Sequence, residues 1–361
     1  MKKNKFLIIT NHSYMLWQFR RELIEELLKQ GEVVISVPFG DHIEDFKALG
    51  CRMIDTPVDR RGINPVKDLG LYRKYKKLLK AEQPTMVITY SIKPNVYGGY
   101  ACRRLKIPYC VNVQGLGTAF QKKGLATLVK FMYKTALKKS KVTFFENQGN
   151  ADLFIERKII KPDNVCLLPG AGVNLNRYEL TPYPDNDKLH FLYLGRIMRE
   201  KGMDELFAAA RTLKQQGVDF VLDLVGFFED EYKETVEQLV ADGIAVFHGF
   251  QQNPVPFYQQ ADCVVLPSYH EGMSNVLLEA SAIGRPVITS DIYGCREAVI
   301  NDKSGLLCTV KSSDCLTEAM LKFASLSKEQ RAAMGKTART HMESTFEKSK
   351  VVEKTVKEIQ K

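Results

Sequence analysis

Short apolar runs alternate along the chain with longer segments in which apolar residues recur at helical spacing. Such runs are typical of strands buried on both faces, and the periodic segments are typical of amphipathic helices. The first half predicts strands at Lys5 to Thr10, Val33 to Phe39, Arg52 to Thr56, Met86 to Tyr90, Tyr109 to Val113, Val142 to Phe145 and Val165 to Leu168. It predicts helices at Met15 to Gln30, Ile43 to Leu49 and Pro65 to Ala81. This order predicts a mostly parallel α/β sheet.

The second half repeats the pattern after a polar, proline-containing stretch from Asn174 to Lys188, which we interpret as an interdomain linker. Its predicted strands are Leu189 to Leu194, Phe220 to Val225, Ala245 to His248, Cys263 to Leu266, Val287 to Ser290 and Leu306 to Thr309, with helices from Ser312 onward. We therefore expect two α/β domains, residues 1–178 and 179–343.

Charge separates the two halves. The chain of 361 residues has a net charge of +10, but residues 1–178 hold 31 Lys+Arg against 15 Asp+Glu, and the remainder holds 21 against 27. No acidic residue lies between Gln83 and Phe145. The basic residues of that stretch are Lys93, Arg103, Arg104, Lys106, Lys122, Lys123, Lys130, Lys134, Lys138, Lys139 and Lys141. This asymmetry indicates an anionic partner for the first domain.

One helix of the basic stretch, Gly124 to Lys139, combines an apolar stripe with an i, i+4 row of lysines. The stripe is Leu125, Leu128, Val129, Met132, Tyr133, Ala136 and Leu137, and the row is Lys130, Lys134 and Lys138. The helix either packs on its own sheet with a solvated lysine face or lies at an anionic lipid leaflet. Together with the charge of the whole domain, it favours peripheral association with a membrane.

Cysteine usage and hydropathy indicate a cytosolic protein. The eight cysteines follow no Cys-x-x-Cys or Cys/His pattern, so we expect reduced thiols and no bound metal. The segment Met1 to Lys5 followed by Phe6 to Ile9 resembles the start of a signal peptide, but its apolar run is too short, and we interpret it as the first strand. No apolar segment has the length needed to cross a membrane.

Two glutamates bracket the turn between the strand Cys263 to Leu266 and the helix that follows. Glu271 lies in the turn, Glu279 lies about five residues into the helix, and Ser274 or Asn275 is a suitable N-cap. The unpaired amides at a helix start form an anion site. Since the two Cα atoms differ by roughly 8 Å along the helix axis, only an elongated ligand reaches both carboxylates. A sugar nucleotide has this shape, although a buried Glu271 and a solvated Glu279 are the simpler alternative.

A second element favours the sugar nucleotide. Arg196 and Lys201, flanked by Gly195 and Gly202, directly follow the strand Leu189 to Leu194. Open α/β sheets bind ligands at this strand end, and an Arg with a Lys suits a diphosphate that gains charge as it departs.

These residues resemble the retaining nucleotide-sugar glycosyltransferases of family 4, in which an Arg and a Lys five apart hold the donor diphosphate and a Glu-x7-Glu pair flanks the donor. The resemblance implies the GT-B fold, with two Rossmann-like domains around a cleft and a last helix, here 344–361, returning to the first domain. It implies that Glu271 faces the transferred sugar and that Glu279 binds the ribose. The amides of Gly272, Met273, Ser274 and Asn275 would cradle sugar and phosphate, and Phe250 would lie in the base-binding loop.

The first domain resembles a narrower branch through Tyr90 to Asn95 and Val113 to Gly117. Its members build bacterial capsule, O-antigen and protein-linked glycans. The resemblance implies transfer of a hexose or N-acetylhexosamine from UDP to a sugar on undecaprenyl diphosphate, at the cytoplasmic face of the inner membrane. Acceptor recognition would involve His12, Lys93 and Gln114. Gln114 stands where many members carry His.

The same resemblance implies a retaining mechanism in which Arg196, Lys201 and the helix start stabilise the departing phosphate, which accepts the acceptor proton. We expect no cofactor and no metal, because these positive groups supply the charge that a metal would bring. The alternatives are a UDP-sugar epimerase of related architecture and a basic nucleic-acid-binding protein, whose recognised motifs are missing. A dinucleotide dehydrogenase is disfavoured because Thr10 to Tyr14 has no Gly-x-Gly-x-x-Gly.

Overall fold

The computed structural model describes residues 4–59, 64–115 and 125–361, which fall into two compact units. Unit 1 comprises residues 1–171 and 349–361, and unit 2 comprises residues 172–348. The sequence places the boundaries at 178/179 and 343/344. Lys122, Lys123 and the segment 116–117 of the narrower resemblance lie outside the described residues.

Unit 1 is built on a seven-stranded parallel sheet in the order β3-β2-β1-β4-β5-β6-β7. The strands are β1 Asn4–Ile9, β2 Gly31–Val37, β3 Arg52–Asp55, β4 Met86–Tyr90, β5 Tyr109–Val113, β6 Val142–Phe145 and β7 Val165–Leu167. The helices are α1 Ser13–Leu28, α2 Ile43–Ala48, α3 Pro65–Glu82, α4 Gly99–Leu105, α5 Leu125–Leu137 and α6 Gln148–Glu156. These elements match the predicted order, with ends shifted by one or two residues.

The strands of this sheet are apolar along their whole length because a hydrophobic core lies on each face of the sheet. Phe6 and Ile8 of β1 belong to one core cluster, and Leu7 and Ile9 belong to another. Since neighbouring residues of a strand point to opposite faces, each face needs its own apolar set. The C-terminal segment 349–361 contributes Val351, Val356 and Ile359 to the first cluster.

Unit 2 has a six-stranded parallel sheet in the order β10-β9-β8-β11-β12-β13. Its strands are β8 Leu189–Leu194, β9 Phe220–Val225, β10 Ala245–Gly249, β11 Cys263–Leu266, β12 Val287–Ser290 and β13 Gly305–Cys308. Its helices are α7 Met203–Gln215, α8 Lys233–Ala241, α9 Val255–Gln260, α10 Asn275–Ile283, α11 Ser313–Ser325 and α12 Lys328–His341, and the chain ends with α13 Lys348–Gln360. The predicted strands are again confirmed.

Residues 174–188, predicted as an interdomain linker, lie inside unit 2, and the chain passes from unit 1 to unit 2 at 171/172 instead. Arg285, which is only 1% exposed, donates to the Thr181 hydroxyl at 2.8 Å and to the Pro182 carbonyl at 2.9 Å. The Tyr183 hydroxyl donates to the Asp262 carbonyl at 2.9 Å. These bonds hold in place a segment whose prolines exclude it from regular structure.

Helix α5 packs as an amphipathic helix, with one correction to its predicted stripe. Val129, Tyr133, Ala136 and Leu137 are buried, but Leu128 is 46% exposed. Phe131, which the stripe did not include, is 68% exposed. The helix buries the 129–133–136 side against the unit 1 core, so positions 128 and 131 lie on its outer side.

All eight cysteines are unpaired thiols, and seven of them are buried. No described helix is both long enough and apolar enough to cross a membrane.

Candidate active site

The candidate residues of unit 2 meet where its strand order reverses. Strand β8 lies beside β11, and the chain leaves β8 toward β9 on one side and β11 toward β12 on the other. Loops after two such strands leave a crevice at the carboxyl edge of the sheet. The loop after β8 carries Arg196 and Lys201, and the loop after β11 carries Glu271.

Backbone contacts that only glycine permits hold these loops together. Gly202 has φ +74°, and a Cβ there would lie 2.1 Å from the Pro267 carbonyl oxygen. Gly226, directly after β9, has φ +151°, and a Cβ there would lie 1.8 Å from the Gly195 oxygen. A side chain at either position would clash with backbone and would also be strained by its dihedral. The loops after β8, β9 and β11 therefore pack as one body.

A third contact fixes the turn before α10. Ser274, the N-cap of α10, donates its backbone N–H to the Gly294 carbonyl at 2.9 Å. Gly294 has φ +87° and lies so close that a Cβ there would be 2.4 Å from the Gly272 oxygen. In turn, the Gly294 N–H donates to Glu297 Oε2 at 2.7 Å. Glu297 thus supports the turn that carries Glu271.

Lys201 and Glu271 form an ion pair across the two loops. Lys201 Nζ lies 2.5 Å from Glu271 Oε1, and their side chains are 17% and 13% exposed. The Ser268 hydroxyl donates to the same carboxylate oxygen at 2.8 Å. Charge-assisted hydrogen bonds of this kind are strong and directional. The structure thus brings two of the predicted catalytic residues into direct contact.

Arg196 is held by a residue that the sequence did not single out. Its Nη1 donates to Glu229 Oε2 at 2.6 Å. The Arg196 side chain is 46% exposed, whereas Glu229 is 17% exposed. The Tyr193 hydroxyl, from the end of β8, donates to the Arg196 carbonyl at 2.5 Å and fixes the backbone. One side of the guanidinium is therefore anchored while the side chain remains accessible.

Glu279 is the fifth residue of α10, as predicted, and it is not simply solvated. The Tyr258 hydroxyl donates to its Oε2 at 2.9 Å. Burial raises the pKa of Glu279, and hydrogen bonds from Tyr258 and Tyr178 and the charges of Arg177 and Lys348 oppose that shift. A carboxylate held in this way is a fixed acceptor for hydroxyl donors.

Phe250 is 54% exposed and forms an edge-to-face pair with Phe227, which is 47% exposed, at a centroid distance of 6.2 Å. Phe227 follows Gly226 after β9, and Phe250 follows β10. Neighbouring exposed aromatic rings form an apolar patch of the kind found at ligand-binding sites. The sequence indicated Phe250 alone.

In the predicted cradle, Met273 and Ser274 have buried side chains, so only their backbone can face a ligand. The Ser274 amide is already bonded to Gly294 and holds the turn. Gly272 and Asn275 are partly buried, and Asn275 is the first residue of α10. Beside them, partial desolvation and the Lys311 charge lower the pKa of His270.

The acceptor candidates belong to unit 1. His12 is the N-cap residue of α1, three residues after the end of β1, and its side chain makes no capping hydrogen bond. Lys93 lies after β4, the strand beside β1 where the order of this sheet reverses. Lys93 Nζ lies 2.9 Å from Asp68 Oδ1, in a pair whose side chains are 12% and 6% exposed. Gln114 is partly buried directly after β5. The structure shows no direct bond among these three residues.

Several residues near the site were missed by sequence reasoning: Tyr193, Phe227, Glu229, Tyr258, Ser268 and Glu297. Phe227 and Glu229 follow β9, and the rule that ligands bind at carboxyl strand ends would have pointed to them. Tyr258 and Glu297 come from sequence positions with no recognisable signal.

Comparison with known proteins decides the family. The profile of glycosyl transferases group 1 matches residues 182–341, and the profile described as glycosyl transferase 4-like matches residues 5–147. The chain belongs to the family 4 glycosyltransferases. The two profiles together span both units.

Curated relatives match along most of this glycosyltransferase. It is 28% identical to the N,N'-diacetylbacillosaminyl-diphospho-undecaprenol alpha-1,3-N-acetylgalactosaminyltransferase of Campylobacter jejuni, over 84% of this chain and 85% of that protein. It is 24% identical to the UDP-Gal:alpha-D-GlcNAc-diphosphoundecaprenol alpha-1,3-galactosyltransferase of Escherichia coli, over 80% and 77%. The capsular polysaccharide glycosyltransferase CapM of Staphylococcus aureus is 23% identical over 78% and 79%.

Solved structures support the fold. A glycosyltransferase from Rickettsia africae superposes with a TM-score of 0.80 at 16% identity, covering 100% of this chain and 98% of that one. HepE of Anabaena, solved with UDP-glucose, gives 0.80 at 16% identity and 99% coverage of both chains. The predicted GT-B fold is confirmed.

Proposed function

We propose that this glycosyltransferase moves a hexose or N-acetylhexosamine from a UDP-sugar to a saccharide on undecaprenyl diphosphate, with retention of configuration and without a metal. The observation that carries the donor assignment is the contact between Lys201 and Glu271 at 2.5 Å, directly before the start of α10, with Arg196 on the same loop as Lys201. The named substrates of the relatives from Campylobacter and Escherichia support the acceptor class.

Departure of UDP leaves negative charge on its phosphates. Lys201 and Arg196 supply cationic donors at the carboxyl edge of the sheet, and the first amides of α10 add the positive end of the helix dipole. Because the loops are locked by backbone contacts, these groups need little reorganisation during the reaction. Preorganised electrostatic stabilisation of this type is a large contribution to catalysis.

Retention requires the acceptor hydroxyl to attack from the face that UDP leaves. In the proposed step, the bond between the anomeric carbon and the phosphate oxygen breaks, and the acceptor oxygen bonds to the same carbon. The departing phosphate takes the acceptor proton. No metal is needed in this scheme, since Lys201 and Arg196 balance the leaving-group charge.

The two glutamates have separate tasks in this scheme. Glu271, oriented by Lys201 and Ser268, contacts the transferred sugar. Glu279, oriented by Tyr258, binds the ribose hydroxyls. Phe250 and Phe227 offer apolar faces for the base.

We propose that unit 1 binds the acceptor at an anionic membrane, on the cytoplasmic face. Unit 1 carries 34 Lys+Arg against 17 Asp+Glu. On α5, the exposed Leu128 and Phe131 lie near Lys130 and Lys134 in the sequence, and Lys138 directly follows the helix. Apolar side chains together with lysines are the combination that interfacial helices use.

The test is a panel of UDP-sugars offered with undecaprenyl-diphosphate-linked mono- and disaccharides, read by product mass. We expect one donor and acceptor pair to give a product one sugar heavier, with activity retained in excess chelator. NMR of the new anomeric linkage reports retention. Conversion of the UDP-sugar to its epimer without transfer would instead support the epimerase alternative, and strict dependence on a divalent ion would contradict the electrostatic assignment.

A further inference from the structure

Two histidines and one aspartate form a cluster across three neighbouring strands of unit 2. Asp223, on β9, bonds His190 Nδ1 through Oδ2 at 2.8 Å and His248 Nε2 through Oδ1 at 2.7 Å. His190 is on β8 and His248 is on β10. The side chains are 16%, 30% and 27% exposed in the order Asp223, His190, His248. One carboxylate therefore joins two imidazoles from opposite sides.

His248 occupies an irregular position in the sheet. The pairing of β10 with β9 shifts register between Phe247 and Gly249, so His248 is the extra residue of a β-bulge. Bulges disrupt the ladder locally and re-aim the residues around them. The next residues are Gly249, with φ +66°, and Phe250, the exposed ring of the pair with Phe227. The bulge thus begins the loop that carries Phe250.

Asp223 holds this bulge from the side. The His248 backbone leaves the regular ladder, and its carbonyl accepts from Gln251 Nε2 at 2.8 Å. Its ring contacts Phe257 of α9 edge-to-face at 5.0 Å and is bonded to Asp223. On the far side of the bulge, the Gly249 carbonyl accepts from the Gly226 N–H at 2.9 Å. The Asp223 bond is the charged one among these contacts.

We propose that Asp223 is a positioning residue for nucleotide recognition: through His248 it fixes the bulge that orients Phe250 toward the base of the donor. This inference rests on the proposed use of UDP-sugars. Asp223 does not touch the donor in this proposal, and its effect is confined to the base end of the ligand. The diphosphate would bind at Arg196 and Lys201. The loop that carries these two residues is held by the separate backbone contacts at Gly202 and Gly226.

His190 provides a matched comparison within the cluster. It makes the same kind of bond to Asp223, at nearly the same length and exposure as His248, but it lies near the start of β8 and outside the loop. Asp223 and Asp262 are the carboxylates that raise its pKa. If the cluster only stabilised the sheet, His190→Gln and His248→Gln would have equal consequences. If Asp223 acts through the bulge, only His248→Gln impairs base recognition.

The experiment measures UDP and pyrophosphate binding by calorimetry for the wild type, Asp223→Ala, His248→Gln and His190→Gln. Both Asp223→Ala and His248→Gln remove the partly buried, charged hydrogen bond between Asp223 and His248, and we expect roughly five- to tenfold weaker UDP binding for each. Pyrophosphate, which lacks the base, should bind all four proteins within about twofold, and His190→Gln should also keep UDP binding within about twofold. In assays, KM for the donor should rise with kcat nearly unchanged.

Equal losses in the two histidine variants, parallel losses of pyrophosphate binding, or unchanged UDP binding in Asp223→Ala would each overturn the proposal. Thermal melting verifies that each variant is folded. If Asp223→Ala does not fold, Asp223→Asn keeps the side-chain volume and should show a smaller loss in the same direction. If the wild-type protein does not bind UDP, the proposed donor is wrong, and so is the role of Asp223 in recognising its base. The hydrogen bonds that hold the bulge do not depend on that result.

Discussion

The two units share one architectural plan but treat charge in opposite ways. Unit 1 has an excess of 17 positive charges and unit 2 an excess of 7 negative charges, by count of Lys, Arg, Asp and Glu. Yet the residues assigned to the anionic donor lie in the acidic unit. Net charge describes the long-range field of a domain, whereas a binding site depends on local geometry.

The difference is clearest in how the cations are held. In unit 2, Lys201 and Arg196 each contact one carboxylate, on loops joined through Gly202, Gly226 and Gly294. In unit 1, the lysines of α5 lie on one outer side of a helix beside the exposed Phe131. The lysine-bearing surface of unit 1 suits an anionic membrane, whose lipids can rearrange. The fixed cations Lys201 and Arg196 suit a ligand of defined shape.

The largest expected effect is the loss of a phosphate-binding cation. We expect Arg196→Ala to lower kcat by about 100-fold or more, near 3 kcal/mol, because leaving-group charge would go unbalanced. Arg199→Ala is the control, since that side chain is 76% exposed and contacts Asp204 only at 3.7 Å. Steady-state kinetics with the identified UDP-sugar provides the measurement. A wild-type kcat for Arg196→Ala would contradict the assignment of the donor site to unit 2.

The Glu271→Gln variant distinguishes contacts with the transferred sugar from contacts with the nucleotide. We expect transfer to fall by roughly 30-fold while UDP binding changes by less than about threefold, because UDP lacks the sugar that Glu271 contacts. Glu237→Gln, on the solvent side of α8 with a 63% exposed side chain, should leave both unchanged. Calorimetry and turnover on the same samples test the division, and equal losses in binding and transfer would undo it.

A pair of glycines tests the loop packing without touching a ligand. Gly202 and Gly217 have φ of +74° and +75°, but a Cβ at Gly217 meets no atom within 4 Å. Gly217→Ala should cost about 1 kcal/mol of unfolding free energy from dihedral strain alone. Gly202→Ala should cost about 3 kcal/mol or more, because it also clashes with the Pro267 backbone. Urea denaturation measures the free energy of unfolding of both variants. Equal losses would mean that the backbone around Gly202 and Pro267 moves apart at little energetic cost.

The smallest expected effect is on membrane binding by unit 1. Changing Lys130, Lys134 and Lys138 together to Gln should weaken binding to vesicles rich in phosphatidylglycerol by roughly tenfold at low salt, since each lysine near an anionic surface contributes up to about 1 kcal/mol. Changing Lys214, Lys233 and Lys322 of unit 2 is the charge-matched control. Flotation at two ionic strengths provides the reading. Equal weakening by both triple variants would indicate nonspecific charge attraction.

The sequence predicted the strands well because apolar runs buried on two faces have few alternatives, and β4, β5, β6, β8, β9, β11 and β12 match their predicted limits. It also indicated Arg196, Lys201 and Glu271, which lie on the loops after β8 and β11, and Glu279, which lies in the helix that follows. Tyr258 and Glu297 were missed, because a hydrogen bond formed by the folded chain leaves no periodic pattern in the sequence, whereas Glu229 lies after β9, where the strand-end rule applies. Leu128 was misjudged since spacing alone cannot say how wide the buried side of α5 is.

The carboxylates that hold Lys201 and Arg196 have a consequence for selectivity among small anions. Inorganic phosphate or sulfate arriving at this edge must compete with Glu271 or Glu229 for a single cation at a time. In the proposed site, the diphosphate of a sugar nucleotide would replace both contacts in one binding event, and its sugar and base would add further contacts. In the proposed site, the paired cations would therefore favour ligands that bind at two points, and inorganic monophosphates should be poor inhibitors.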